Sequence, residues 1–222
     1  MNGTIDTTKL DPAELARHLG NPEGEVGKAV AASINKSNAT FYSAALQKLA
    51  MEPGDRIIEI GFGNGREIPN VLSLSTGLTY FGLDISDTMV ADAAEFNAQA
   101  VREGRVTVAK GTSANIPADA NAFDKALTLN TIYFWSNPAD DLKELRRVLR
   151  PDGCLVVGAL APWSAAGRPV FQQGFRFYEQ PEISELLAAA GFMRVSFDTI
   201  RQTVIPPTGQ SWNVDYFIVR AA

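Results

Sequence analysis

Residues 56–65, RIIEIGFGNG, decide the fold of this chain. Arg56 to Ile60 is a short run rich in β-branched residues, and it follows the turn signal Pro53-Gly54-Asp55. Glycines at alternate positions end the run. A helical pattern starts near Arg66, with Pro69 in its first turns, where a missing N–H costs least. The stretch therefore predicts a strand that turns sharply into a helix, the first unit of an α/β sheet.

Strand and helix patterns alternate along the rest of the chain. Predicted strands cover Leu78–Leu83, Val106–Ala109, Phe123–Leu129 and Cys154–Leu160, and predicted helices cover Met89–Val101, Pro138–Leu149 and Gln180–Ala190. Two alternating runs, around Val195 and Trp212, close the chain on either side of Pro206-Pro207-Thr208-Gly209. Strands joined without a helix pair antiparallel or lie apart. The pattern predicts an open, mostly parallel α/β sheet that ends in a hairpin.

The segment before this sheet is helical in pattern. Three helices are predicted, Pro12–Leu19, Glu25–Ile34 and Asn38–Leu49. We therefore divide the chain into an N-terminal helical extension, residues 1–50, and an α/β domain, residues 51–222.

Composition limits the classes of partner. The net charge of −5 disfavours nucleic acid, which rewards clustered Lys and Arg. No apolar run approaches the roughly 20 residues that cross a bilayer, and residues 1–6 do not resemble a signal peptide. Cys154 is alone, so neither an intrachain disulfide nor a zinc-binding cysteine cluster is expected. We expect a cytoplasmic monomer or homodimer without nucleic-acid, membrane or metal partners.

Polar residues and glycines follow the predicted strands where open α/β sheets bind ligands, at the carboxyl ends. Gly61, Gly63 and Gly65 follow the first strand, Asp84 closes the second, and Thr112-Ser113 follows the third. A carboxylate at the end of the second strand can accept hydrogen bonds from both hydroxyls of a ribose. The alternatives are a tight turn without a ligand and, for Asp84, a helix N-cap.

As a set, these motifs resemble class I S-adenosylmethionine (SAM)-dependent methyltransferases. Ile58 to Gly65 looks like their E/D-x-G-x-G-x-G motif I, and Asp84 is similar to the acidic residue of motif II. Phe123–Leu127 and Leu142–Gly153 resemble the motifs of strand four and of the stretch before strand five. The resemblance implies a Rossmann-like sheet of seven strands in the order 3-2-1-4-5-7-6, with strand 7 antiparallel, helices on both faces and an N-terminal helical lid. It also implies SAM as cofactor, S-adenosylhomocysteine as product and a small-molecule methyl acceptor.

The same resemblance assigns a cofactor site. Glu59 would contact the SAM amine, Asp84 the ribose hydroxyls, and Ile85 the adenine. The full set is Glu59, Gly61, Phe62, Gly63, Asn64, Gly65, Asp84, Ile85, Thr112, Ser113 and Asn130. Many relatives have Asp where this chain has Thr112. The stretch Asn130-Thr131-Ile132-Tyr133 lacks both prolines of [D/N]-P-P-[Y/F], which disfavours methylation of adenine, cytosine or glutamine nitrogens.

Residues around the expected acceptor pocket are less specific. Candidates are Asn35, Asn38, Tyr42, Tyr133, Trp135, Trp163, Phe175 and Arg176. In the insertion after strand five, Arg168, Phe171, Phe175, Arg176 and Tyr178 suggest an anionic or aromatic acceptor. For Tyr133, Trp135 and Trp163, hydrophobic packing is an equally good explanation. Tyr133 and His18 are weak candidates for a catalytic group. The methylated atom, whether O, N, C or S, stays open.

Two other functions fit a glycine-rich turn. An NAD-dependent Rossmann oxidoreductase needs G-x-G-x-x-G, and here the third glycine, Gly65, comes one residue early. A non-catalytic SAM-binding regulatory protein needs only the fold.

Overall fold

A computed structural model describes residues 5–205 and 210–222. Within them, seven strands form one sheet in the order β3-β2-β1-β4-β5-β7-β6, with helices around it. The strands are β1 Arg56–Ile60, β2 Thr79–Asp84, β3 Val106–Lys110, β4 Phe123–Leu129, β5 Leu149–Leu160, β6 Val195–Val204 and β7 Trp212–Ala221. The helices are α1 Pro12–Gly20, α2 Gly24–Leu49, α3 Ile68–Ser73, α4 Asp87–Phe96, α5 Ala98–Arg102, α6 Pro138–Val148, α7 Pro162–Ala165 and α8 Gln180–Ala189, and short 3-10 turns span Thr7–Lys9, Ile132–Phe134 and Pro169–Gln172. None of the helices in the described ranges is long and apolar enough to cross a membrane.

The central strand, β1, aligns the carboxyl ends of its neighbours. It pairs in parallel with β2 and β4, so that Ile60 lies opposite Leu83 and Thr128. Ile57 and Ile58 are fully buried, as expected for a parallel strand covered on both faces. The residues that follow these strands, Gly61 and Asn130 among them, therefore meet at one edge of the sheet.

The C-terminal hairpin confirms the predicted strand order. β7 lies antiparallel between β5 and β6, with Val157 opposite Val219 and Phe197 opposite the same residue on the other side. The predicted turn at residues 206–209 lies outside the described residues.

One strand begins earlier than predicted. β5 starts at Leu149, and its register against β4 shifts between Phe123 and Lys125. The predicted turn, Pro151-Asp152-Gly153, lies in this irregular part of the strand. From Leu149 to Cys154, β5 advances five residues while β4 advances two, so the turn-forming residues loop out of the ladder within the bounds of the strand.

The prediction of two helices over residues 25–49 was wrong, because α2 is continuous. The segment between the predicted helices, Asn35-Lys36-Ser37, contains neither glycine nor proline to stop it. Ser37 Oγ donates a hydrogen bond to Ser33 O, one turn earlier, which a hydroxyl can do inside a helix. The helix ends only at Leu49, and the next residue, Ala50, adopts a left-handed conformation.

A single helix over residues 89–101 was also predicted, and the structure divides it at Asn97 into α4 and α5. The Asn97 side-chain amide donates to Ala93 O at 2.9 Å and to Gly65 O at 3.0 Å. Met89 and Ala93 face the core as predicted, but Phe96 and Val101 are exposed. The Arg66 guanidinium covers the Phe96 ring at 3.9 Å.

The N-terminal helices contribute to two hydrophobic clusters. The C-terminal half of α2 belongs to the main core through Phe41, Ala45 and Leu49. Its N-terminal half joins α1 and the 169–172 turn in a smaller cluster made of Leu15, Ala16, Val30 and Val170. One helix therefore connects the sheet to the elements that cover its carboxyl edge.

Candidate cofactor and acceptor site

A cavity of about 700 Å³ lies at the carboxyl edge of β1, β2 and β4. The loops after these strands form its floor, and α1 and α2 cover it. Its volume lies within the range of small-molecule sites, roughly 300–1,000 Å³. Most of the predicted site residues meet here, including Glu59, Asp84 and Asn130.

The three glycines of the loop meet different structural requirements. Gly61, Gly63 and Gly65 have positive φ angles of 75°, 62° and 68°. A Cβ on Gly61 would lie 2.3 Å from Thr131 Cγ2, and one on Gly65 would lie 2.5 Å from Ala93 Cβ. A Cβ on Gly63 would meet nothing within 4 Å. Gly61 and Gly63 line the cavity, whereas Gly65 packs against α4 beside it.

Asp84 is fixed in place by the backbone. Its Oδ2 accepts a hydrogen bond from Gly63 N and its Oδ1 one from Ser86 N, both at 2.9 Å. Burial raises the pKa of this carboxyl above its usual value. The N-cap of α4 is Ser86, whose Oγ accepts from Met89 N, so Asp84 is not needed as that cap. Each carboxylate oxygen keeps acceptor capacity for a further donor.

Glu59 is held by two tyrosine hydroxyls. Tyr42 donates to its carboxylate oxygens at 2.9 and 2.8 Å, and Tyr80 donates to Oε2 at 2.8 Å. Burial raises the pKa of Glu59 to about 7. The hydroxyl of Tyr42, a predicted acceptor contact, is thus placed on the carboxylate. Tyr80 was not predicted, although the alternation of side chains puts it on the same sheet face as Glu59 once the register is known.

The cover contacts the glycine loop directly. Asn35 Nδ2 on α2 donates to Asn64 Oδ1 at 2.7 Å, and Asn64 is itself buried. Asn38, one turn further along α2, accepts from the Tyr216 hydroxyl at 3.3 Å. Asn35 and Asn38, which were predicted to contact the methyl acceptor, therefore join α2 to the glycine loop and to β7.

Another wall of the cavity follows β2 and β3. Ile85 is partly exposed there, and Thr112 and Ser113 lie beside it. Ser113 Oγ donates to Asp141 Oδ1 at 2.5 Å, and burial raises the pKa of Asp141. Sequence reasoning missed Asp141, because its position in the first turn of α6 suggested only a favourable interaction with the helix dipole.

Asn130 and Tyr133 form a rigid corner after β4. Asn130 has a φ of +57°, in the left-handed region that asparagine adopts more readily than most residues with a side chain. The Tyr133 hydroxyl donates to Asn130 Oδ1 at 2.9 Å and accepts from Leu160 N. Burial raises the Tyr133 pKa well above its ordinary value. Both hydrogen-bonding functions of the hydroxyl are therefore occupied by the protein.

Besides Gly65, three predicted site residues, His18, Trp163 and Arg176, do not line the cavity. His18 is buried in α1, where its Nδ1 accepts from Glu23 N and burial lowers its pKa. The indole of Trp163 donates to Asp215 Oδ2, and the Arg176 guanidinium lies over the Tyr178 ring. The aromatic candidates Trp135, Phe171 and Phe175 do line it.

Sequence reasoning missed much of the aromatic wall. Phe41 on α2 stacks on Tyr216 of β7, with ring centroids 4.1 Å apart, and both line the cavity with Phe134 and Trp212. In the sequence these residues look like ordinary core positions of a helix, a loop and a strand. Only the tertiary fold shows that they share one surface.

Comparison with known proteins agrees with this geometry. The methyltransferase domain family matches residues 58–157. The uncharacterized methyltransferase YdaC of Bacillus subtilis is 26% identical over 62% of this chain and 74% of its own length. Erythromycin 3''-O-methyltransferase of Saccharopolyspora erythraea is 21% identical over 82% of this chain and 64% of its own. The first curated relatives are matched over 50% to 74% of their length.

A solved structure covers more of the chain. It is described as a SAM-dependent methyltransferase, possible histamine N-methyltransferase, from Thermotoga maritima, and it is 28% identical with a TM-score of 0.60. The superposition covers 85% of this chain and 91% of that one. The glycine motif, the strand order and these matches together show a methyltransferase domain on the class I fold, and the chain resembles the SAM-dependent members of that class.

Proposed function

We propose that this chain binds SAM and transfers its methyl group to a small-molecule acceptor. The observation that carries the proposal is a single cavity that contains both the glycine loop with Asp84 and a chamber walled by aromatic residues. One part has the charged and backbone groups that a nucleoside amino acid needs, and the other offers an apolar surface. A methyl donor and an acceptor can therefore lie together in one enclosed space.

The residues present fit the cofactor. The open space at Gly63 lets a ligand approach the main chain, and Asp84 Oδ1 and Oδ2 can accept from ribose hydroxyls beside it. Glu59 would face the amine, and Ile85 would pack on the adenine. SAM supplies an electrophilic methyl group when bound, so the protein needs to align the partners and exclude water.

We propose that alignment, rather than a protein base, does most of the catalytic work. Among the described lining residues, the walls contributed by α1, α2, β6 and β7 carry no histidine, lysine or carboxylate. Tyr133 has both hydrogen-bonding functions occupied, and His18 lies outside the cavity. An acceptor that loses its proton to water, or that has none to lose, suits such a site.

We further propose that residues 1–50 act as the lid of this site. Support comes from the contacts of α2 with the loop, through Asn35 and Tyr42, and from its share of the cavity wall. The choice between monomer and homodimer, a cytoplasmic location, and the lack of nucleic-acid or membrane partners stay predictions from the sequence.

Asp84→Asn tests the cofactor site. The change removes one charged acceptor oxygen, so the dissociation constants of SAM and S-adenosylhomocysteine should rise about tenfold or more in calorimetry. Asp87→Asn is the control, because Asp87 lies three residues away, is exposed and forms an ion pair with Lys110 at the surface. Unchanged affinity in Asp84→Asn, or tighter binding of NAD than of SAM by the wild type, would contradict the proposal.

A further inference from the structure

We infer that the methyl acceptor is a mostly apolar, ring-bearing molecule without an anionic group. The inference rests on the proposed function and concerns the acceptor chamber, the part of the cavity walled by α1, α2, β6, β7 and the segments 132–135 and 169–175. Its evidence is the distribution of charges and rings over that wall.

The charges of the cavity lie away from this chamber. Six charged residues line the cavity within the described ranges, and all of them lie on β1, on the loop after it, at the end of β2 or at the start of α6: Glu59, Arg66, Glu67, Asp84, Asp140 and Asp141. Five of the six are acidic. An anionic acceptor would thus enter a mainly acidic cavity, and Arg66, the one cation, lies over the Phe96 ring.

The arginines that suggested an anionic acceptor are directed elsewhere. Arg168 stacks on Trp212, 3.9 Å from the ring centroid, and its Nε donates to Ser164 O. Of this pair only Trp212 lines the cavity. Arg176 lies over Tyr178 and is not part of the wall either. An anion in the chamber would lose its water without gaining a counter-charge, which is strongly unfavourable.

Rings cover the chamber on two sides. Phe134 and Phe175 are 4.7 Å apart between centroids, and Phe171 lies 5.3 Å from Phe175. The stacked Phe41 and Tyr216 face the chamber from α2 and β7. Aromatic walls favour planar or ring-bearing ligands through stacked and edge-to-face contacts.

One donor on this wall, the buried Trp212 Nε1, has no partner among the described residues, whereas two hydroxyls are already engaged by the protein. The Tyr216 hydroxyl donates to Asn38 Oδ1, and burial keeps it protonated by raising its pKa well above the ordinary value. Ser37 Oγ donates to backbone carbonyls of Ser33 and Ile205. Affinity must therefore come mainly from apolar contact.

The test compares two probes that differ only in an anionic group, 2-naphthol and 6-hydroxynaphthalene-2-sulfonate. S-adenosylhomocysteine is titrated first, and its failure to bind would contradict the proposed function itself. Each probe is then titrated into the saturated protein. We expect 2-naphthol to bind about tenfold or more tighter than the sulfonate. Equal or tighter binding of the sulfonate, or no binding of either probe at millimolar concentration, would overturn the inference.

Introducing a cation provides a second, independent readout. Ile34→Arg on the chamber side of α2 should strengthen sulfonate binding relative to 2-naphthol by about tenfold. Ala32→Arg, on the exposed side of the same helix, should leave the ratio of the two affinities unchanged. Circular dichroism establishes whether each variant is folded. If Ile34→Arg is unfolded, the affinities of the wild type for 2-naphthol and for the sulfonate decide the question alone. Sulfonate binding by the wild type that Arg168→Ala abolishes would show that Arg168 reaches the chamber and that the inference is wrong.

Discussion

Glu59 combines complete burial with a charge that the cofactor would need. Two hydroxyls stabilise its ionised form, yet loss of water dominates and raises the pKa to about 7. Near neutral pH the ligand-free protein is therefore a mixture of protonated and ionised Glu59. A bound ammonium group would favour the ionised form and release a proton.

This coupling gives a pH prediction. The affinity for S-adenosylhomocysteine should rise with pH from about pH 6 to about pH 7.5, because ionised Glu59 becomes the main form as the pH passes its pKa. Calorimetry in two buffers of different ionisation enthalpy measures the proton release. Glu59→Gln should bind more weakly and lose the pH dependence, whereas Glu95→Gln, at an exposed position of α4, should keep it. A pH-independent wild type would show that Glu59 does not meet the amine.

At the scale of residues, only those parts of the site could be predicted that depend on neighbouring positions in the sequence. Glycine spacing and Asp84 predict the proposed cofactor side, because both are properties of single βα turns. The pairing of Tyr80 with Glu59 depends on the register of β1 and β2, and that of Ser113 with Asp141 on the packing of α6. Neither register nor packing is written in a local pattern.

At the scale of elements, breaks in helices were harder to predict than strands. Asn35-Lys36-Ser37 looks like a gap between two helices, but nothing in it prevents the backbone from continuing through α2. Asn97 looks like one more polar helix position, but its amide bonds to the glycine loop and divides α4 from α5. A tertiary contact explains the break at Asn97, whereas the continuity of α2 has local reasons. The strands agree better, since a buried parallel strand is a continuous apolar run.

The turn between β1 and α3 provides a prediction at the same scale. Gly63→Ala and Gly65→Ala both place a side chain at positive φ, but only at Gly65 would the Cβ collide with α4. Gly65→Ala should therefore lower the free energy of unfolding by about 1 to 3 kcal/mol more than Gly63→Ala. Urea denaturation of the two variants measures the difference.

The opposite order is expected for ligand binding. The new methyl of Gly63→Ala would meet no protein atom within 4 Å, and Gly63 lines the cavity. We therefore expect this variant to lose affinity for S-adenosylhomocysteine despite its milder loss of stability. Equal stability of the two variants would mean that α4 yields to the extra methyl.

At the scale of the whole molecule, the two clusters predict unequal local stability. The small N-terminal cluster rests on few residues, whereas the sheet is covered by the main core. Without a ligand, amide hydrogens of α1 and of the first half of α2 should exchange faster than those of β1 and β4. S-adenosylhomocysteine should slow exchange in α1 and α2 most.

Hydrogen exchange with mass spectrometry measures both effects. Asn35→Ala removes a contact between α2 and the loop and should reduce the protection. Gln99→Ala, on α5 and away from the cavity, is the control. Ligand-induced protection confined to the loops after β1 and β2 would argue against a lid.

The continuity of α2 restricts how such a cover can move. The C-terminal half of α2 is packed in the main core through Phe41 and Leu49, so the helix cannot rotate as a rigid body about a loop hinge. To admit a large ligand, α2 must bend along its length or unfold its first turns. Either motion breaks backbone hydrogen bonds that re-form only after the ligand has entered. We expect this motion of α2 to limit turnover. Lys36→Gly, at an exposed position of the helix, should therefore raise the rate of product release.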